Sequence, residues 1–263
     1  MSGVLIQGNL VHYESFGRGK PIVFLHGWLG SWRYWVPVMD EISTGRRAYA
    51  LDLWGFGDSS KVPERYDVDA YVEMLTEFLD ELGISRVPVV GHTLGAAVAL
   101  KWAHKYPDRV DKVMAVGLPL DAGGINHRLL SAGPNETLAR LFWHRQRPYP
   151  EVEMGLTKTA QSAIALTIQS VARLNLRAIV ADIDVPLLTV YGDKDVVINP
   201  VQADELENGT YAARAIILPG TSHFPMLDAT GKFNRLLLDF MDVTSPEDLR
   251  QLAIKEEWRR RTH

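Results

Sequence analysis

Three short stretches of the chain carry side chains whose types suit nucleophilic chemistry. The first is Gly91-His92-Thr93-Leu94-Gly95, which offers a hydroxyl at Thr93 between two glycines. The second is Gly192-Asp193-Lys194-Asp195, which offers carboxylates. The third is Pro219-Gly220-Thr221-Ser222-His223-Phe224-Pro225, which offers an imidazole. A hydroxyl attacks a carbonyl only if a base takes its proton, because its own pKa lies far above 7. An imidazole suits that task, with an unperturbed pKa of about 6.5. A carboxylate beside it would hold one tautomer and stabilise the imidazolium that forms.

Each group needs an element to present it. Val87-Pro88-Val89-Val90 is a short apolar run that leads into the Gly-x-x-x-Gly frame. An Ala-rich helical pattern follows and stops at Pro107. Strand, tight turn and buried helix are therefore predicted, with Gly91 and Gly95 letting the two backbones pass closely. The residue between them is pushed out beside a helix N-terminus, as in a nucleophile elbow. Pro88 is unexpected in a central strand and predicts a strand start or a bulge.

The remaining chain reads as strand–helix alternation. Residues 4–16 form a hairpin pattern around Gly8-Asn9. Pro21 to Leu25 is a continuous apolar run, as expected of a strand covered on both faces, and ends in His26-Gly27-Trp28. A helix is predicted from Ser31 to Ile42, with Trp32, Trp35, Val38 and Met39 on one face. A strand over 47–53 runs into the Gly-rich loop from Asp52 to Ser59. Asp67 or Asp69 caps the next helix, and Gly83 sits where a C′ glycine belongs. Val110 to Val116 is another strand. From Leu118 to Asp184 the period changes. Helical patterns at 136–144 and 157–181 lie between Gly/Pro breaks, which predicts a helical insertion rather than a loop. Alternation resumes with a strand at 185–191, a helix near 200–207, a strand at 213–218 and a helix near 230–241. Ser245-Pro246-Glu247-Asp248 starts a last helix, on which Leu249, Leu252, Ala253 and Trp258 face the body. Arg259, Arg260 and Arg261 complement its C-terminus. The fold class is α/β: a doubly wound, mostly parallel sheet of about eight strands with a helical cap insertion.

The order hydroxyl, acid, histidine, taken with His26-Gly27-Trp28 and the Asp52–Ser59 loop, resembles the α/β-hydrolase superfamily over residues 1–241. The resemblance implies a core formed by 1–117 and 185–263 and a cap at 118–184. It places Thr93 at the nucleophile, Asp195 at the acid and His223 at the base. It also makes the backbone N–H groups of Trp28 and Leu94 the oxyanion hole. Leu118, Phe142, Trp143, Val196 and Phe224 would line an apolar substrate pocket beneath the cap. Asp193 reads as a turn former and Asp121 as the rival acid. His92 and His26 read as packing or structural hydrogen-bonders, and the Asp52–Ser59 loop as a brace.

Thr93 departs from the family pattern, which has Ser there. The elbow backbone is strained, and a β-branched residue suffers more in it. The implied activity is therefore a slow carboxylic ester hydrolase acting through an acyl-enzyme. Relatives that open epoxides or remove halide need a carboxylate at that position, which Thr cannot supply. Other readings stay open. They are a lyase or cofactor-free oxygenase using the His223–Asp195 dyad, a C–C bond hydrolase, and a ligand-binding protein with a lapsed site.

Composition bounds the rest. The chain has 263 residues, 46% of them apolar, and a formal net charge of −4. That is globular composition with no basic excess to suggest a nucleic-acid partner. There is no cysteine, which removes disulfides and thiol chemistry. His12, His104, His127 and His144 lack metal-ligand spacing, so neither metal nor cofactor is expected. The opening residues lack a basic segment followed by a long apolar run, so no signal peptide is read. No stretch is long and apolar enough to span a membrane. The expectation is a cytoplasmic protein whose partner is a small ester, with no membrane or nucleic-acid partner and with homo-oligomerisation left open.

Overall fold

A computed structural model describes residues 2–131, 149–200, 206 and 212–253. The strands are β1 (Ser2–Ile6), β2 (Asn9–Phe16), β3 (Lys20–Leu25), β4 (Arg46–Leu51), β5 (Val87–His92), β6 (Val110–Val116), β7 (Leu187–Gly192) and β8 (Ala213–Leu218). They form one sheet in the order β1-β2-β4-β3-β5-β6-β7-β8. Every pairing from β4 to β8 is parallel, and β1 and β2 add an antiparallel edge. β5 lies at the middle of the sheet, with β3 on one side and β6, β7 and β8 on the other. This order brings the three chemical loops together at one sheet edge, because parallel strands all end on the same side.

The helices are α1 (Val36–Ile42), α2 (Val68–Glu81), α3 (Leu94–Lys105), α4 (His127–Ser131), α5 (Pro150–Thr157), α6 (Gln161–Ala172), α7 (Leu176–Ala181), α8 (Pro225–Asp228), α9 (Thr230–Met241) and α10 (Pro246–Gln251). α3 is buried almost all round; only Lys101, His104 and Lys105 escape burial. It packs on β5 and β6 and beside α2. Small residues allow this: Ala96, Ala97, Ala99 and Ala103 all face protein. Such a helix is stabilised by the apolar area it removes from water rather than by an amphipathic stripe.

Local details follow the physical chemistry of the sequence, with some shifts. The hairpin turn is Gln7-Gly8, one residue earlier than predicted, with φ of 52° and 78°. Two central residues at positive φ make the turn whose twist matches the strands. The predicted helix from Ser31 is a 3-10 turn over Trp32–Trp35 followed by α1, and Ser31 Oγ accepts from Arg33 N–H at its start. Trp35, Val38 and Met39 are buried, but Trp32 is only half-buried. Asp67 rather than Asp69 caps α2, and Gly83 has the φ of +66° expected after a helix end. Pro88 coincides with a register shift between Val87 and Val89, so its missing donor falls at a bulge. Ser245 and Asp248 form a reciprocal capping box on α10. The helices predicted at 136–144 and, but for Pro200 and Leu206, near 200–207 lie outside the described residues, as do Trp258 and Arg259–Arg261.

Among the described residues, four helices, α4 to α7, lie between β6 and β7. The segment 155–160 is tied to the loops that end β3 and β4. Ala160 N–H donates to Gly55 O at 2.8 Å. Gly155 sits against Gly30 and Ser31, where a Cβ would be 3.2 Å from the Gly30 carbonyl carbon. Lys158 Nζ is 2.6 Å from Asp58, which also pairs with Arg33. Among the described residues, no helix is long and apolar enough to cross a membrane.

Candidate active site

The turn between β5 and α3 is set by its two glycines. A Cβ at Gly91 would meet Gly95 O at 2.2 Å, and one at Gly95 would meet Leu25 O at 2.3 Å. Neither contact can relax, since both fall on backbone. Strand, helix and the end of β3 therefore crowd together as the Gly-x-x-x-Gly frame predicts. Thr93 N–H donates to Val116 O at 2.8 Å, which ties the turn to β6. Thr93 itself has φ 44° and ψ −99°. Among the described residues, only one other non-glycine, Gln7, has positive φ. For a β-branched residue this conformation costs of order 1–3 kcal/mol.

Asp195 and His223 meet across the next two loops. A Cβ at Gly192 would lie 2.2 Å from Ser222 O, so only glycine lets the end of β7 abut the histidine loop. Lys194 N–H donates to Thr221 O at 2.9 Å, and Gly220 N–H donates to Asp193 Oδ1 at 2.8 Å. Asp193 thus braces the turn. His223 Nδ1 lies 2.9 Å from Asp195 Oδ2 and 3.1 Å from Oδ1. A carboxylate only accepts, so Nδ1 carries a proton, and in the neutral ring the lone pair is then on Nε2. Asp195 Oδ1 also accepts from the N–H groups of Val197 and Ile198, at 2.7 and 3.1 Å, which fixes the carboxylate. Asp121 takes no part in this: it caps a 3-10 turn at Gly124 N–H and pairs with Arg177 at 2.7 Å.

Thr93 does not complete a hydrogen-bonded triad. Its Oγ1 is buried without a partner. It points to the β3 side, where a Cβ added at Gly27 would meet it at 2.1 Å. Its methyl points to the β6 side, 3.4 Å from where a Cβ would stand at Gly117, a point also 3.8 Å from Asp195 Oδ2. Sheet order puts the loops of Asp195 and His223 on this second side. The hydroxyl therefore faces the Gly27 loop and the methyl faces the acid–histidine side. One staggered step of χ1 exchanges them: oxygen moves over Gly117, hydrogen over Gly27 and methyl to the third position.

Two buried histidines organise the site's β3 side. His26 Nδ1 lies 2.8 Å from Gly27 O, and its Nε2 accepts from Leu53 N–H at 3.0 Å. Burial depresses its pKa, and the neutral ring suits both bonds. His92 Nε2 lies 2.9 Å from the His223 carbonyl and its Nδ1 3.0 Å from the Tyr34 hydroxyl. Gly27 N–H donates to the same hydroxyl at 2.5 Å. Burial first, then the nearby His223, holds His92 well below its usual pKa. Tyr34 carried no local signal in the sequence; it is one of three aromatics in 32–35.

The Asp52–Ser59 loop is a brace, as expected. Asp52 is fully buried and accepts from Trp32 N–H, Asp58 N–H and His12 Nδ1, each at 2.9 Å. Burial alone would raise its pKa, but the His12 hydrogen bond and further donors hold it below the usual value. His12, Asp52 and Asp58 bring ligand-type atoms within 4.8 Å of one another. Those atoms are already committed to each other, to Arg33 and to Lys158, which accounts for the cluster without an ion.

The predicted pocket residues are divided. Phe224 is buried against the rings of His223, His92 and Tyr34. Leu118 is buried and its carbonyl accepts from the Tyr191 hydroxyl at 2.9 Å. Val196 lines a cleft of about 590 Å³ with Asn126, His127 and Ile198, which Asp195 also borders. Phe142 and Trp143 lie outside the described residues.

With fold and site in view, comparison with known proteins places the chain. Residues 20–179 match the model of the alpha/beta hydrolase fold. The chain belongs to this family. An uncharacterised protein of Mycobacterium bovis is 26% identical over 93% of this chain and 82% of its own. A 2-hydroxy-6-oxo-2,4-heptadienoate hydrolase of Pseudomonas putida is 35% identical over 43% of each chain. Among solved structures, an enol-lactonase from Burkholderia xenovorans superposes with a TM-score of 0.81, at 20% identity, over 92% of this chain and all of its own. Similarity at that identity concerns the fold.

Proposed function

We propose that the protein hydrolyses small, largely apolar carboxylic esters, with Thr93 as nucleophile, His223 as base and Asp195 as its orienting acid. One observation carries this reading. A β-branched residue is held at φ 44° with a buried, unpartnered hydroxyl, beside a fixed histidine–carboxylate pair. A strained residue with a buried, unpartnered polar atom is costly, and such strain clusters at working sites.

In the proposed course, χ1 of Thr93 turns its oxygen to the β6 side, within reach of His223 Nε2. The oxygen attacks the ester carbonyl as His223 takes its proton. The oxyanion is received by Leu94 N–H, which as the first residue of α3 has no intrahelical acceptor, and by Trp28 N–H. Collapse expels the alcohol, protonated by His223. Water activated by the same imidazole then cleaves the acyl-enzyme. Thr93, His223 and the Asp195 carboxylate are all buried, so the helices at 118–184 act as a cap that opens to admit substrate. Leu118 and Phe224, both buried, give the pocket its apolar character.

4-Nitrophenyl acetate and butyrate test the reading. Turnover is expected, with covalent labelling of Thr93 by a fluorophosphonate and loss of both on His223→Ala. Turnover undiminished in His223→Ala would sink it.

A second reading is favoured by the observed rotamer. With the hydroxyl over Gly27, Thr93 is poised to donate a hydrogen bond to a substrate oxygen there while the His223–Asp195 dyad alone moves protons. Cleavage of C–C bonds next to a carbonyl, or a lyase or cofactor-free oxygenase reaction, would follow this pattern. Inertness to fluorophosphonate together with His223-dependent turnover of a vinylogous diketone selects it.

A further inference from the structure

We propose that Tyr34 and His92 form a positioning pair, which locks the main chain of His223 to the loop that carries Gly27 and Trp28. The inference deepens the acyl-transfer reading and rests on it for its kinetic consequence.

The direction of each hydrogen bond follows from what each group can do. The His223 carbonyl only accepts, so His92 Nε2 donates to it across 2.9 Å. A neutral imidazole with its proton on Nε2 accepts at Nδ1, so the Tyr34 hydroxyl donates there across 3.0 Å. The Tyr34 oxygen in turn accepts Gly27 N–H. The result is one unbroken chain: Gly27 N–H to Tyr34 O–H to His92, and His92 Nε2–H to His223 C=O. Tyr34 and His92 are buried, so no water competes. The next peptide, Gly27–Trp28, is held as well, since His26 Nδ1 donates to Gly27 O at 2.8 Å.

What makes this more than satisfied packing is where the chain ends. At one end stands the Gly27 N–H, one residue before the Trp28 N–H that receives the oxyanion. At the other stands the backbone of the residue whose ring becomes an imidazolium. Opposite charges develop at these two places in the same step, and their separation decides how well each is stabilised. His92 is also the chain neighbour of Thr93, so one imidazole links the loops of Thr93, His223 and Gly27. Its ring centroid lies 4.6 Å from that of His223 and leaves little freedom to either ring. A leucine at position 92 would fill similar space and sever the chain. A glutamine would offer an amide N–H to the His223 carbonyl and an amide oxygen to Tyr34.

The test combines kinetics with histidine-ring NMR on the full chain. Tyr34→Phe keeps the ring's volume and removes only the hydroxyl. kcat on 4-nitrophenyl butyrate is expected to fall about 10-fold with KM changed less than about 2-fold, per mole of folded protein. His92→Leu is expected to lower kcat about 100-fold, and His92→Gln to recover most of that loss. Long-range ¹H–¹⁵N spectra of ¹⁵N-histidine protein should show His92 protonated on Nε2 alone. They should also show the His223 ring resonances displaced in Tyr34→Phe. Unchanged kcat in both Tyr34→Phe and His92→Leu overturns the proposal, as does a His92 ring protonated on Nδ1. If the unaltered chain cleaves no ester, the acyl-transfer reading fails on that fact. The spectra then still decide the pair, because His223 resonances that ignore Tyr34→Phe overturn it.

Discussion

Thr93→Ser isolates the one feature in which the site departs from its family. Thr93 Oγ1 lies over Gly27, and its methyl occupies the side on which Asp195 and His223 stand. To attack in the proposed course, the oxygen must take the methyl's position and the methyl must move to the third staggered position. Serine leaves a hydrogen there and needs no such exchange. It also relieves part of the cost of branching at φ 44°. If rotation and methyl crowding together add about 1–3 kcal/mol to the transition state, removing them raises kcat roughly 5- to 150-fold. Steady-state hydrolysis of 4-nitrophenyl butyrate measures kcat, and a pre-steady-state burst reports acylation separately. The gain should appear in acylation, since that step needs the rotated hydroxyl. A Ser variant equal to or slower than the unaltered chain, with intact folding, would mean that the residue-93 oxygen does not attack. The dyad reading, with a hydroxyl that only donates, would then take its place.

Other consequences are equally direct. Gly27→Ala puts a methyl 2.1 Å from Thr93 Oγ1 and 3.0 Å from His92 Nδ1. It should cost about 1–3 kcal/mol by urea denaturation; a neutral effect on stability refutes the packing described. Asp195→Asn should keep the fold and lower kcat by about 10²- to 10⁴-fold, since an amide can present its N–H to His223 and select the wrong tautomer. Stability should fall as pH drops from 7 to 5. Burial depresses the pKa of both His92 and His26, so their contributions are complete above the unfolded value of about 6.5 and are lost as pH falls toward the folded values. His12 opposes this. Burial would lower its pKa, but the Asp52 hydrogen bond and charge leave it raised, so its contribution is complete below 6.5 and fades as pH rises through the folded value. Urea unfolding of His92→Gln should lack up to about 1.4 kcal/mol per pH unit of the acid-side slope. An identical slope in the variant contradicts a neutral, buried His92.

Much of the fold could be read because it depends on local steric rules. Apolar runs bounded by turns gave the parallel strands, and Asp67, Gly83 and Ser245 marked helix ends as capping chemistry requires. Gly91 and Gly95 announced a close passage that the backbone contacts confirm. Pro88 announced a bulge. Errors were of register, such as the hairpin turn at Gln7-Gly8, where a residue more or less costs little energy.

The sequence also settled which residue types lie in the loops at the end of the sheet, because strand order in the chain and the handedness of crossovers leave few alternatives. It could not settle which carboxylate faces His223. Asp195 does so because Gly192 lets its loop abut the histidine loop, whereas Asp121 is claimed by Arg177. Nor could it place the Thr93 hydroxyl over Gly27, or thread Tyr34 between Gly27 and His92. Those facts depend on rotamers and on contacts between residues far apart in the chain. They exist only once the loops of β3, β5, β7 and β8 have been brought within hydrogen-bond reach.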